Sequence, residues 1–434
     1  MSREPERCDL VIEFAHEVLT MEHAGLAGPR RGKDLRDVGA IDNGAVAVRG
    51  AEIAWVGPQG ELADSVDIDP GAIRIDASGC TVAPGFVDSH THLVFAGSRQ
   101  DEFERRLAGQ SYLEIARAGG GIRSSVRHTR AATEDELVEL ARQRLDSVLR
   151  HGTTTIECKS GYGLSTACEL KQIRALARAS DGHPVETVST FLGAHEFPPE
   201  FAGDRDGYVR LLVDEMIPAV AETRLCEFAD VFCERGVFTP DQARTILLAA
   251  QGAGMRPRLH ADEFAPSGAA ELAAELHALS ADHLSAISDA GVRALATSST
   301  IGTILPGTTF SLRIPPANAR RLVDAGIALA IATDFNPGTS AIESMGVVIG
   351  LACLHSGLLP SEAFVAATIN AAHALDRADR IGSLAPGKQA DLVVLGVPDH
   401  RGVPYRFGTN HVRTVVKNGR VVVREGRLAL AGAA

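Results

Sequence analysis

Pro84-Gly85-Phe86-Val87-Asp88-Ser89-His90-Thr91-His92 places two histidines two residues apart at the end of an apolar run. In an extended strand, residues i and i+2 point to the same side. Both imidazoles therefore face one point, and neutral imidazole is the commonest side-chain metal ligand. A third histidine and a carboxylate, each closing its own apolar segment, would complete a metal site.

Downstream of this stretch, apolar strand candidates alternate with helical patterns rich in Ala, Leu, Glu and Arg. The helices are expected over 133–151, 165–179, 240–251, 268–274 and 316–325. The strands are expected over 152–159, 185–192, 225–232, 258–262, 277–282, 292–296 and 327–334. With the His90 strand these make eight. Alternating strands and helices imply parallel strands joined by crossovers. Eight units in roughly 300 residues fit a closed (β/α)8 barrel of the TIM type.

The two ends of the chain read differently. Short strands are expected near 9–14, 44–49, 51–56 and 73–79, and again over 390–395, 411–420 and 421–427. Asn418-Gly419 and Glu425-Gly426 are turn pairs. The expected organisation is α/β. The barrel occupies 81–380, and a smaller β-sandwich domain is built from 1–80 and 381–434.

Bulk composition sets limits. The 434 residues are 45% hydrophobic and 23% charged, with a net charge of -12. An acidic chain without aromatic-basic interleaving argues against nucleic acid. Seven scattered cysteines show no disulfide framework, which fits a reduced cytoplasmic protein. No apolar run reaches membrane-spanning length, and the start has no signal-peptide core. The glycines at 119–121 lack a phosphate-loop pattern and read as a loop over the active-site mouth or as a plain surface turn.

In parallel barrels, chemistry gathers at the C-terminal ends of the strands. His90, His92, His260 and Asp334 all fall at such positions. Each alone also fits a cap or turn; the joint order argues for a shell that suits zinc or iron. His283 closes another short strand, as a fifth ligand, a proton shuttle or an oxyanion contact. Glu263, three residues beyond His260, suits a general acid or base. Cys158 reads as a buried small side chain.

Gly85-Phe-Val-Asp-Ser-His-Thr-His92, Leu259-His260, Asp282-His283 and Thr333-Asp334 resemble the amidohydrolase superfamily. The segment from Ala371-Ala-His to Gly387-Lys-Gln-Ala-Asp391 resembles its closing signature. A narrower resemblance is carried by Phe95-Ala-Gly-Ser-Arg99, Lys159-Ser-Gly-Tyr162, Phe191-Leu-Gly-Ala-His195-Glu, His260-Ala-Asp-Glu263 and Asp334-Phe-Asn336-Pro-Gly338-Thr339. These words are similar to the branch that opens the ring of 4-imidazolone-5-propanoate, giving N-formimidoyl-L-glutamate in the third step of histidine degradation.

That resemblance implies one zinc or iron ion per subunit on His90, His92, His260 and Asp334. It implies catalysis by Glu263, His283 and Asp334. It implies substrate contacts from Arg99, Tyr162, His195, Glu263, Asn336, Gly338 and Thr339, and a homodimer with no membrane or nucleic-acid partner. Many superfamily members bridge two metals with a carboxylated lysine. Lys159, at a strand end, invites that role, but the resemblance is to the mononuclear branch. The competing readings are a deaminase or hydantoinase acting on a related ring, or a barrel without catalysis. A deaminase would release ammonia, and a barrel without catalysis would have lost ligands or acid/base groups.

Overall fold

The computed structural model describes residues 7–23, 28–110, 114 and 119–429. The outer ends of the expected terminal segments, 1–6 and 430–434, lie outside the described residues. So does most of the stretch before the glycines at 119–121.

The strands fall into three runs along the chain. The first is β1 (Cys8–Leu19), β2 (Ala40–Arg49), β3 (Glu52–Pro58), β4 (Ile68–Asp76) and β5 (Thr81–Pro84). The second is β6 (Phe86–Asp88), β7 (Thr153–Lys159), β8 (Glu186–Ala194), β9 (Phe228–Cys233), β10 (Arg256–Ala261), β11 (Ser280–His283), β12 (Ile301–Ile304) and β13 (Leu329–Ile331). The last is β14 (Leu392–Leu395), β15 (Val412–Lys417), β16 (Arg420–Arg424) and β17 (Arg427–Leu428).

The second run forms an eight-stranded sheet in strict chain order, parallel throughout. The first and last runs share one nine-stranded mixed sheet, in which β14 pairs antiparallel with β5 and β4 pairs parallel with β1. The architecture is a (β/α)8 barrel with a smaller β-domain made from both chain ends.

Period-two alternation explains the barrel wall. In β7, Ile156 and Cys158 join the main apolar cluster, while Glu157 and Lys159 are buried and polar. In β10, Leu259 and Ala261 belong to the apolar set, and Arg258 and His260 to the polar one. β9 repeats the pattern with Val231 against Asp230. The apolar set packs under the helices, and the polar set fills the barrel axis. Buried charge of this kind is tolerated only when paired.

Helix starts follow their capping residues. Thr133 and Glu136 form a reciprocal capping box for Glu134–Arg150. Thr239 and Gln242 do the same for Pro240–Gly252, with proline at the first helical position. The expected strand at 292–296 is a helix instead, Asp289–Ala296. Ser288 accepts the Gly291 N–H to cap it, and Val292 and Leu295, three apart, make its buried face. The seventh barrel strand is β12, the short run Ile-Gly-Thr-Ile that follows.

β6 and β13 sit at the two ends of the ladder, and the seam between them closes just beyond both strands. The Asp334 N–H donates to the His90 carbonyl at 3.0 Å, and the His92 N–H donates to the Phe335 carbonyl at 2.9 Å. The Asp88 carboxylate also accepts the Thr333 N–H and hydroxyl, at 3.0 and 2.6 Å.

The two domains meet where Asp391 precedes β14. Its carboxylate takes the Lys417 ammonium at 2.6 Å and the Asn418 N–H at 2.9 Å, with Lys417 and Asp391 both buried. Removing one partner of a buried pair leaves an unpaired charge, costing about 3–5 kcal/mol. Asp391→Ala should therefore show a clearly lower urea midpoint by circular dichroism. The paired replacement Asp391→Leu with Lys417→Met should recover much of the loss.

Candidate active site

The C-terminal ends of the barrel strands bring together more imidazoles than a simple metal shell requires. His90 and His92 follow β6, His195 follows β8, His260 lies in β10, and His283 ends β11. Asp334 lies three residues beyond β13. The ligand atoms of His90, His92 and Asp334 lie within 4.8 Å of one another, as do those of His90, His260 and His283, and those of His92, His195 and His260. Asp334 Oδ1 is 3.6 Å from His90 Nε2 and 3.4 Å from His92 Nε2. His260 Nε2 is 3.4 Å from His92 Nε2.

Carboxylates behind two of the rings fix which nitrogen faces the centre. His90 Nδ1 bonds Asp282 Oδ2 at 2.7 Å, and His260 Nδ1 bonds Asp230 Oδ1 at 3.0 Å. Each Nδ1–H donates outward, so each Nε2 lone pair points to the common point. His90 Nε2 is buried with no hydrogen-bond partner. An orphaned lone pair beside two more imidazoles and a carboxylate fits a bound cation. Asp334 is steadied by the Thr308 hydroxyl, which donates to its Oδ2 at 2.5 Å and leaves Oδ1 toward the histidines.

Burial keeps these groups in unusual states. It pushes His90, His92 and His195 well below the usual imidazole range, with neighbouring positive groups adding to the effect. Burial takes His283 down to about 3. Both His283 ring nitrogens lack hydrogen-bond partners, and Nδ1 lies 3.6 Å from Glu263 Oε1. Glu263 goes the other way. Burial, then the charges of Asp334 and Glu234, raise its carboxyl well above the carboxylate range. The pair is thus a neutral imidazole beside a carboxyl that favours its proton.

The expected substrate residues form an adjoining wall. His195 stacks on His92 at 4.9 Å, with its Nδ1 on the Gly161 carbonyl at 3.0 Å. The Tyr162 ring lies 5.4 Å from His195 and 5.9 Å from His92. Arg99 stands just before helix Gln100–Leu107 and pairs with Glu102 at 2.8 Å. Gly338 lies against it. A Cβ there would stand 2.0 Å from an Arg99 guanidinium nitrogen, so a larger residue would push the guanidinium aside.

Asn336 is largely occupied within its own loop. Its oxygen accepts the N–H groups of Gly338 and Thr339 at 2.8 and 2.7 Å, and its nitrogen donates to the Asp334 carbonyl at 2.6 Å. Asn336, Gly338 and Thr339 therefore shape the surface beside Arg99 and have few donors left over. The glycine loop reaches the site indirectly, through the Gly121 N–H on Glu102. Cys158 is buried, and burial raises its thiol well above its ordinary value.

Lys159 is placed away from a bridging role. It ends β7, the second barrel strand, and its ammonium is already paired with Glu157 and Asp230, at 2.8 Å each. The sequence reading assigned nothing to Glu157, Asp230, Asp282 or Thr308. A period-two count along β9 and β11 carries the only sequence signal, since it turns Asp230 and Asp282 into the barrel.

The amidohydrolase family model matches residues 81–422. The imidazolonepropionase of Geobacillus kaustophilus is 52% identical over 96% of this chain and 99% of its own. That of Shouchella clausii is 47% identical over 96% and 94%. Among solved structures, a zinc-bound adenosine deaminase from Xanthomonas campestris superposes with a TM-score of 0.73 at 20% identity, covering 99% of this chain and 96% of that one. A zinc complex of atrazine chlorohydrolase from Arthrobacter aurescens gives 0.69 at 18% identity, covering 97% of each. These two share the fold.

Losing the partner behind a ligating histidine typically lowers metal affinity about 10–100-fold. Asp282→Ala should do so by freeing the His90 ring. Competition with a chromophoric chelator measures it.

Proposed function

The chain belongs to the amidohydrolase family, and from that premise we infer that it hydrolyses the cyclic amide of 4-imidazolone-5-propanoate to N-formimidoyl-L-glutamate in histidine degradation. The observation that carries this reading is the likeness to imidazolonepropionases along nearly the whole chain. The enzyme is metal-dependent. We assign one zinc or iron ion per subunit to His90, His92, His260 and Asp334. The orphaned His90 Nε2 and the carboxylate-held rings support this set, and nitrogen-oxygen donors of this kind suit either metal.

When bound, the ion supplies a water whose proton is more easily lost. Asp334 would take a proton from the water that adds to the ring carbonyl carbon. Neutral His283 donates a hydrogen bond to the carbonyl oxygen as charge develops there. Glu263, which favours its proton, delivers it to the ring nitrogen as the carbon–nitrogen bond breaks. Arg99 takes the propionate, since a guanidinium fork binds a carboxylate through two parallel bonds. Tyr162 and His195 hold the flat ring, and the 336–339 loop keeps Arg99 in place.

The same reading makes the protein a cytoplasmic homodimer. All seven cysteines are free, which suits a reducing compartment. Among the described residues no helix is long and apolar enough to cross a membrane.

The deciding experiment follows the imidazolone absorbance with metal-quantified protein and assays ammonia in parallel. Metal-dependent loss without ammonia is expected; ammonia release would move the protein to the deaminases. Arg99→Met should keep its metal and lose roughly tenfold or more in kcat/KM, the worth of about 1.5–3 kcal/mol of charged hydrogen bonding. Glu263→Gln should lower kcat by roughly 10²–10⁴. Near-parental turnover in that variant would shift proton transfer to Asp334 and His283.

A further inference from the structure

The mechanism above makes no use of the lysine that ends β7. Lys159 is fully buried, yet its Nζ lies 2.8 Å from Glu157 Oε1, 2.8 Å from Asp230 Oδ2 and 3.9 Å from Asp282 Oδ2. Each carboxylate reaches a different part of the site. Glu157 Oε2 accepts the Thr91 N–H at 3.1 Å, between His90 and His92. Asp230 holds the His260 ring and also accepts the His260 N–H at 3.1 Å. Asp282 holds the His90 ring.

We propose that Lys159 is the positioning residue of the metal site, a single ammonium that fixes two of the three carboxylates, Asp230 behind the His260 ring and Glu157 behind the Thr91 backbone between His90 and His92. Those three anions are buried within one barrel layer and are opposed by Lys159 and by Arg258, whose Nη2 lies 3.3 Å from Asp282 and 2.7 Å from the Ser89 carbonyl. Arg258 serves the Asp282 side. Glu157 and Asp230 depend on Lys159, and without it they repel each other in a medium where charge is poorly screened. Asp230 then turns from His260, and Glu157 from the Thr91 backbone. An ammonium suits the place because it is a compact point charge with three donors.

The proposal rests on the ligand assignment above, and the test separates the two. Zinc affinity is measured by chelator competition for the parent, Lys159→Met, Glu157→Gln with Lys159→Met, and His260→Ala. Cobalt-loaded samples report ligand geometry through their visible absorption. Lys159→Met should bind zinc about 100-fold more weakly, the upper end for loss of a supporting partner, with a changed cobalt spectrum. The double variant removes the cation together with one of its anions. It should fold and bind zinc about tenfold more weakly than the parent, clearly tighter than Lys159→Met.

Parental zinc affinity in Lys159→Met would overturn the proposal. So would a double variant that binds no better than Lys159→Met, or one that binds like the parent. If Lys159→Met does not fold, the double variant alone decides, about tenfold weaker binding supporting the role; parental affinity or failure to fold would overturn it. Zinc retained by His260→Ala would instead refute the ligand assignment. Zinc lost there but kept by Lys159→Met would refute the lysine's role alone.

Discussion

Two backbone hydrogen bonds close the barrel, and they tie the His-x-His segment to the segment that carries Asp334. Asp334 donates to the carbonyl of His90, and His92 donates to that of Phe335. Because a barrel has no free edge, this seam must form for the sheet to be complete. The same bonds bring the Asp334 carboxylate up to both imidazoles of the His-x-His pair. Folding and site assembly are thus one event at this point. The Asp88 bonds to Thr333 add a second tie below it, in a group whose burial lifts its carboxyl to about 7.

Placing charge inside a barrel is costly, and the structure meets that cost in layers. The lower layer is ionic, with Lys159 and Arg258 set against Glu157, Asp230 and Asp282. The upper layer is imidazole, with His90, His92, His195 and His283 held neutral by burial. Neutral rings do not repel a cation, and carboxylates behind them raise their basicity as ligands. The two layers need each other. Without the carboxylates the rings could turn, and without the basic residues the carboxylates would be buried unpaired.

The fold was legible because apolar strand runs alternate with capped helices, and His90, His92, His260 and Asp334 stood at run ends. The seventh strand was misplaced because β12 is only Ile-Gly-Thr-Ile, weak in pattern, while the helix before it carries Val292 and Leu295 in a run short enough to pass for a strand. In the site, residues lying above a strand end were visible from spacing. Residues that act sideways across neighbouring strands were not. Asp230 meets His260 only because β9 and β10 run side by side, and Asp282 meets His90 across the barrel axis. Lys159 was noticed for its position, but its carboxylate partners on β7, β9 and β11 fix its role, and no linear pattern joins them.

Strict alternation alone would leave this site one histidine short. Asp282 and His283 are consecutive, so in a straight strand they would face opposite sides. Asp282 points into the barrel to His90 and Lys159, yet the His283 ring also lies 5.5 Å from His90 and 5.1 Å from His260. The backbone resolves the conflict: His283 has φ of 78° and Leu284 of 61°. Left-handed conformations in residues with a Cβ cost roughly 1–2 kcal/mol each. Asp262, at 51°, and Asp334, at 50°, repeat the turn at the ends of β10 and β13. Surrounding bonds hold these turns: the Leu284 N–H on the Ala261 carbonyl, the Asp262 carboxylate on the Ser267 N–H, and Asn336 on the Asp334 carbonyl. The strain lets adjacent residues serve one centre, with Asp282 holding the His90 ring from beneath and the His283 ring beside His90 and His260.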